Sequence, residues 1–141
     1  SGQPLPNHVT LDGGNRSPAL PWTGVPPAAR SLVLLCEDPD APRGTWHHWA
    51  AYDLPATLEA LAEGADLAAL GGRLAVNDFG RQRYDGPAPP RGHGPHHYHF
   101  RLLALDVARL GVAAAPRCAD VAALARPHVL AEAELVGTFA R

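Results

Sequence analysis

The chain has 141 residues, enough for one domain with a moderate core. Its 12 Lys and Arg against 14 Asp and Glu leave a net charge of -2, with no basic stripe to follow a phosphate backbone, so nucleic acid is not an expected partner. No apolar stretch is long enough to span a bilayer, and no transmembrane segment is expected.

The chain contains no methionine, and Ser1-Gly2 has the look of a cloning remnant, although a processed export signal would leave the same start. The cytoplasm is the expected place of work, with an exported form as the alternative. Residues 31–36 form a continuous apolar run that fits a strand buried on both faces. Residues 48–54 read as a strand ended by Pro55, and 57–64 as a short helix or turn. After Gly71-Gly72, residues 73–79 can pair at a sheet edge, and 97–106 form the second strong strand. From 119 to 133 the apolar spacing is helical, with Asp120 as a cap and Pro127 imposing a kink or a split into two short helices. Residues 134–139 alternate and can return to the sheet. Its 15 prolines and 14 glycines, about a fifth of the chain, punctuate these runs. Many strands, little helix and no βα alternation argue for a mainly β domain over 1–141 with an antiparallel, Greek-key-type sheet. Cys36 and Cys118 are expected to be unpaired thiols, since nothing in their spacing requires a bridge.

Two segments carry the chemistry. Cys36-Glu37-Asp38-Pro39-Asp40-Ala41-Pro42 leads into Trp46-His47-His48-Trp49, and Gly86-Pro87-Ala88-Pro89-Pro90 leads into His96-His97-Tyr98-His99-Phe100. In each, a proline-stiffened loop delivers a histidine pair to the start of a strand. Strict alternation places Trp46, His48 and Ala50 on one face against His47 and Trp49, and His96, Tyr98 and Phe100 against His97, His99 and Arg101. One face of each strand can therefore supply a histidine and an aromatic to a common cavity. His8, His93 and His128, like His47, His97 and His99, read as structural or surface groups. Asp40 is expected to bond within its own loop, and Ala41-Pro42 to be cis.

These segments resemble the phosphatidylethanolamine-binding protein family, which includes the Raf kinase inhibitor-like proteins, and the likeness is to its bacterial branch. It extends through Ser17-Pro18-Ala19-Leu20-Pro21-Trp22, Asp78-Phe79-Gly80 and Tyr84-Asp85-Gly86 to the stretch from His128 to Thr138, nearly the whole chain. The resemblance implies a large central β-sheet, a smaller sheet and short C-terminal helices. It puts Asp38, His48, His96 and Tyr98 on the family's anion-pocket positions, with Pro42, Trp46, Gly86 and Pro90 lining the pocket. The chain departs from the pattern at Leu11, Ala88 and Pro127.

The residues suit an anion: histidine N–H groups and the Tyr98 hydroxyl donate, and Gly86 allows a close backbone approach. Asp38 can orient a histidine, share a proton with the anion or meet an ammonium group. Such binding is expected to strengthen as pH falls through about 6 to 7. The leading reading is a small-ligand-binding protein for phosphate, carboxylate or a phospholipid head group, with a regulatory role also open. The alternative is a cofactor-independent enzyme in which Asp38, His48, His96 and Tyr98 perform acid–base isomerisation, epimerisation or cyclisation. No cofactor is expected. No metal is expected either, because alternation turns His97 and His99 away from His96 and no cysteine is near. A homodimer is within expectation, and no protein partner is indicated.

Overall fold

The apolar run at 31–36 forms the middle of the structure. In the computed structural model, which describes all residues Ser1–Arg141, strand β3 (Ser31–Asp38) is buried at every position except Glu37. A strand can hide both faces only if it lies inside a sheet that is covered on both sides. Antiparallel neighbours flank it: β4 (Trp46–Pro55) on one side and β7 (His96–Leu105) on the other. Beyond β7 runs β8 (Val129–Phe139), also antiparallel. The edges are short: β1 (Gln3–Pro4) lies parallel to β8, and β6 (Arg73–Leu74) pairs with β4. A separate two-stranded sheet joins β2 (Leu20–Pro21) to β5 (Ala60–Leu61). The domain is thus mainly β, with a six-stranded sheet, a minor sheet and one short α-helix, α1 (Cys118–Ala125).

Alternation along β3 sorts the core into two layers. Leu32, Leu34 and Cys36 pack with Trp49, Ala51, Tyr98 and Phe100 under the small sheet, where Leu20 and Leu61 close the layer. Val33 and Leu35 pack with Ala50, Tyr52, Leu103 and Leu105 against Val121 and Ala125 of α1. Cys36 and Cys118 are both buried free thiols, one in each layer.

Several local expectations are corrected. Residues 57–64 do not form a helix: the chain turns, and Ala60–Leu61 pairs with Leu20–Pro21 instead. Of 73–79, Arg73–Leu74 alone forms a strand, and the rest is drawn into a turn described below. The helical spacing of 119–133 is realised only to Ala125, after which Pro127 sits in a 3₁₀ turn, Arg126–His128. Asp120 is not the cap residue; it lies inside the first turn and its Oδ2 accepts the Arg117 N–H at 3.2 Å. From Val129 the Leu-Ala-Glu-Ala-Glu-Leu sequence is extended, because pairing along nearly the whole of β7 outweighs its helical preference. The Ala41–Pro42 bond is trans; its loop turns by other means, with Asp38 Oδ1 accepting the Asp40 N–H and Gly44 at φ +107°.

The two-layer core makes a contrast testable by urea unfolding. Leu34→Ala, at a position 2% exposed, is expected to cost about 2–5 kcal/mol, whereas Leu130→Ala, 44% exposed, should cost under about 0.5 kcal/mol.

Candidate functional site

Where β3 meets β4 the ladder slips: Cys36 pairs with Trp49, but Glu37 pairs with His47. His48 is the extra residue of a β-bulge, so His48 and Trp49 lie on the same face. This corrects the strict alternation expected for 46–50. Trp49 turns inward onto Tyr84, with ring centroids 5.2 Å apart, while His48 turns to Tyr98 at 5.4 Å. One slip thereby gives neighbouring residues to the core and to a cavity.

Nδ1 of His48 lies 2.7 Å from the backbone carbonyl of Asp85, which can only accept, so Nδ1 carries the proton and the neutral ring has a bare Nε2. Burial pushes the His48 pKa below its ordinary value of 6.5, against the raising effects of that hydrogen bond and of Asp38, Asp78 and Asp85. Opposite, His96 Nδ1 lies 2.6 Å from Asp38 Oδ2, and both side chains are buried. The Asp38 carboxylate thus uses one oxygen to turn its own loop and the other to hold His96. Tyr98, stacked beside His96, has a fully buried hydroxyl with no protein partner. Burial first and the Asp38 charge second push its pKa well above the ordinary range, so it stays a neutral hydroxyl.

Asp85 organises the approach from below. Its carboxylate, wholly buried, accepts from Asn15 and Asn77 at 2.8 Å, from Arg81 at 2.9 Å and from Arg83 at 3.1 Å. Burial opposes its charge, but these hydrogen bonds and the Arg83 charge outweigh burial and lower its pKa. Asn77 Oδ1 also accepts the N–H groups of Phe79 and Arg81, and Asp78 Oδ2 takes the His47 N–H at 2.7 Å. The resulting turn carries Phe79 to 5.5 Å from His48 and 5.3 Å from Trp46.

Asp38, Pro42, Trp46, His48, Pro90, His96 and Tyr98 line one cavity of about 190 Å³, together with Ala41, Phe79, Ala88 and Pro89. Gly86 does not line it, a correction to the expected close approach to a ligand. A Cβ there would lie 1.9 Å from the Val9 carbonyl oxygen, so this glycine serves packing of the chain on itself. Asp40 bonds within its loop through its backbone N–H alone; its carboxylate, against expectation, reaches β7, where it accepts from the His97 N–H at 2.8 Å and faces the His97 ring at 2.7 Å. These hydrogen bonds lower the Asp40 pKa. His47 and His99 lie beside Glu37 and Glu134, at 3.4 and 3.2 Å. The sequence reading passed over Phe79, although its Asp-Phe-Gly setting was a signal, and read His93 as structural. His93 Nδ1 in fact lies 2.5 Å from His96 Nε2.

A cavity of mixed polar and apolar lining at the end of an antiparallel sheet, walled by proline loops, marks a mainly β protein with one candidate ligand site. A sequence model of the phosphatidylethanolamine-binding protein family matches residues 1–140, and the chain belongs to that family. It is 41% identical to a UPF0098 protein of Aquifex aeolicus over 143 residues, 100% of this chain and 84% of that one. With a UPF0098 protein of Methanothermobacter thermautotrophicus the identity is 42%, over 97% of this chain and 91% of the other. Escherichia coli YbcL, whose crystal structure is described as a new member of the mammalian PEBP family, superposes with a TM-score of 0.94 at 32% identity, covering 100% of this chain and 93% of YbcL.

Asp85→Asn leaves the shape but faces buried donors with another donor. We expect a loss of about 2–4 kcal/mol at pH 7 by urea unfolding. Because the folded pKa of Asp85 is lowered, the wild-type advantage is full above about pH 4 and fades as pH falls through the folded value. A gap between the proteins that is equal at about pH 7 and pH 2 would contradict this assignment.

Proposed function

We propose that this protein binds a small acidic ligand, a phosphate, a carboxylate or a phospholipid head group, in the cavity between His48, His96 and Tyr98. The observation that carries the reading is the Tyr98 hydroxyl, buried and without a protein partner beside a cavity that also holds His48, His96 and Asp38. An unsatisfied buried hydroxyl costs about 1–3 kcal/mol, which a bound acceptor recovers. A cavity of about 190 Å³ has room for about six waters. That volume suits a head group rather than a whole lipid. Family membership supports the same class of activity.

The hydrogen-bond polarity refines the ligand. Neutral His48 offers Nε2 as a lone pair, which attracts an acidic O–H and repels a bare anion. The ligand therefore carries its own proton to Nε2, or binds once His48 is protonated. Either route strengthens binding as pH falls, and since burial lowers the His48 pKa, the gain lies below about pH 6.5. The buried Asp38–His96 pair favours one second reading, the cofactor-independent acid–base enzyme. A product formed from a bound substrate, with its rate lost in Asp38→Asn, would select that reading. The proposed place of work is the cytoplasm, with an exported form as the alternative that cell fractionation decides.

Calorimetric titration with inorganic phosphate and with O-phosphorylethanolamine at about pH 6 should show saturable binding. His48→Ala should weaken it about ten- to a hundredfold, as expected for loss of a charge-assisted hydrogen bond. Preference for O-phosphorylethanolamine would point to the head group, equal binding to the shared phosphate. Affinity that is flat between about pH 5.5 and 8 would overturn the proposal.

A further inference from the structure

His93 sits outside the cavity lining, on the turn that joins Pro90 to Pro95, and its side chain is exposed to solvent. Its ring nevertheless meets His96: Nδ1 of His93 is 2.5 Å from Nε2 of His96, with ring centroids 4.8 Å apart. The other nitrogen of His96 is committed to Asp38 at 2.6 Å. The result is an unbroken row from solvent to a buried carboxylate: His93, His96, Asp38.

At 2.5 Å two ring nitrogens accommodate one proton between them. While that proton is shared, His96 has no N–H left for a ligand. A ligand group that takes His96 Nε2 must break this contact. The turn is built to let it break. Gly92 and Gly94 flank His93 at φ +75° and +82°, and neither has an atom within 4 Å of where a Cβ would sit. The His93 N–H bonds back to Pro90 at 3.2 Å, within the turn itself.

We propose that His93 is a positioning residue that caps His96 Nε2 and closes this arm of the site until an acidic ligand displaces it. This rests on the binding reading above, and it adds a residue three positions before His96 to the determinants of affinity. Other charges face the pair from each neighbouring element. Asp38 and Asp40 lie at the end of β3 and in the loop after it, His48 is on β4, and His97 and the neutral Tyr98 are on β7. Arg91 shares the turn, and Arg141 approaches from the chain end.

The test has two arms. Long-range ¹H–¹⁵N spectra of the ligand-free protein should show the His96 Nε2 resonance shifted in His93→Ala relative to wild type, and an unchanged resonance overturns the cap. Calorimetry with inorganic phosphate and with O-phosphorylethanolamine at about pH 7 should then show His93→Ala binding about five- to tenfold more tightly than wild type, the reverse of His48→Ala. His93→Asn, which keeps a donor near the Nδ1 position, should restore the weaker affinity. Equal or weaker affinity in His93→Ala overturns the proposal while leaving the pocket reading intact. If neither protein binds either phosphate, the pocket reading fails, and the spectra alone decide whether His93 caps His96.

Discussion

The buried carboxylate of Asp85 is the constraint on which the site depends. A charge wholly removed from water persists only if donors replace its hydration, and Asn15, Asn77, Arg81 and Arg83 do so. Those donors come from two loops far apart in sequence, so satisfying one charge fixes both loops against β4. The neighbouring backbone completes the arrangement. The Asp85 carbonyl sets the tautomer of His48, and Gly86 N–H bonds Asn15 at 2.7 Å while its missing side chain lets the Val9 carbonyl approach. Orientation of a pocket histidine is thus a by-product of solving a burial problem below the pocket.

The same logic governs the polarity of the cavity. Both histidines spend their Nδ1 protons on the protein, His48 on a carbonyl and His96 on Asp38. What faces a ligand is therefore decided at Nε2, bare on His48 and occupied by His93 on His96. A list of residue types suggests a pocket of donors. The hydrogen-bond directions describe one hydroxyl donor, from Tyr98, and histidines that become donors only on gaining protons.

Much of the architecture was legible because period and composition agree. The continuous run in β3 and the apolar alternation of β7 announced the central strands, and the paired proline loops marked the residues that converge on the cavity. Misreadings came where a long-range partner outvotes local preference. The stretch from Val129 begins with leucine, alanine and glutamate and locally suits a helix, but β7 offers it a full ladder. Trp49 was assigned the wrong face because a bulge is invisible to a period-two count. Gly86 and Asp40 drew the wrong partners, Val9 and His97, since proximity across about 57 to 77 positions leaves no local trace. His93 was missed for a related reason: a solvent-exposed histidine between glycines carries no pattern that separates it from a loop residue.

Asp38 looks misplaced in an anion pocket only if its charge is taken to face the ligand. Its Oδ1 holds the Asp40 N–H at 2.8 Å and its Oδ2 holds His96 at 2.6 Å, so both oxygens are committed to the protein. Repulsion of an anion is thereby blunted, because the His96 ring stands one step closer to the cavity than the carboxylate that holds it. When His96 is protonated the pair is neutral overall, and an incoming anion meets the N–H end of a dipole rather than a carboxylate. A neutral residue at that position would remove the repulsion and, with it, the acceptor that holds the His96 ring in place. The acidic loop and the anion site are therefore compatible because the histidine stands between them.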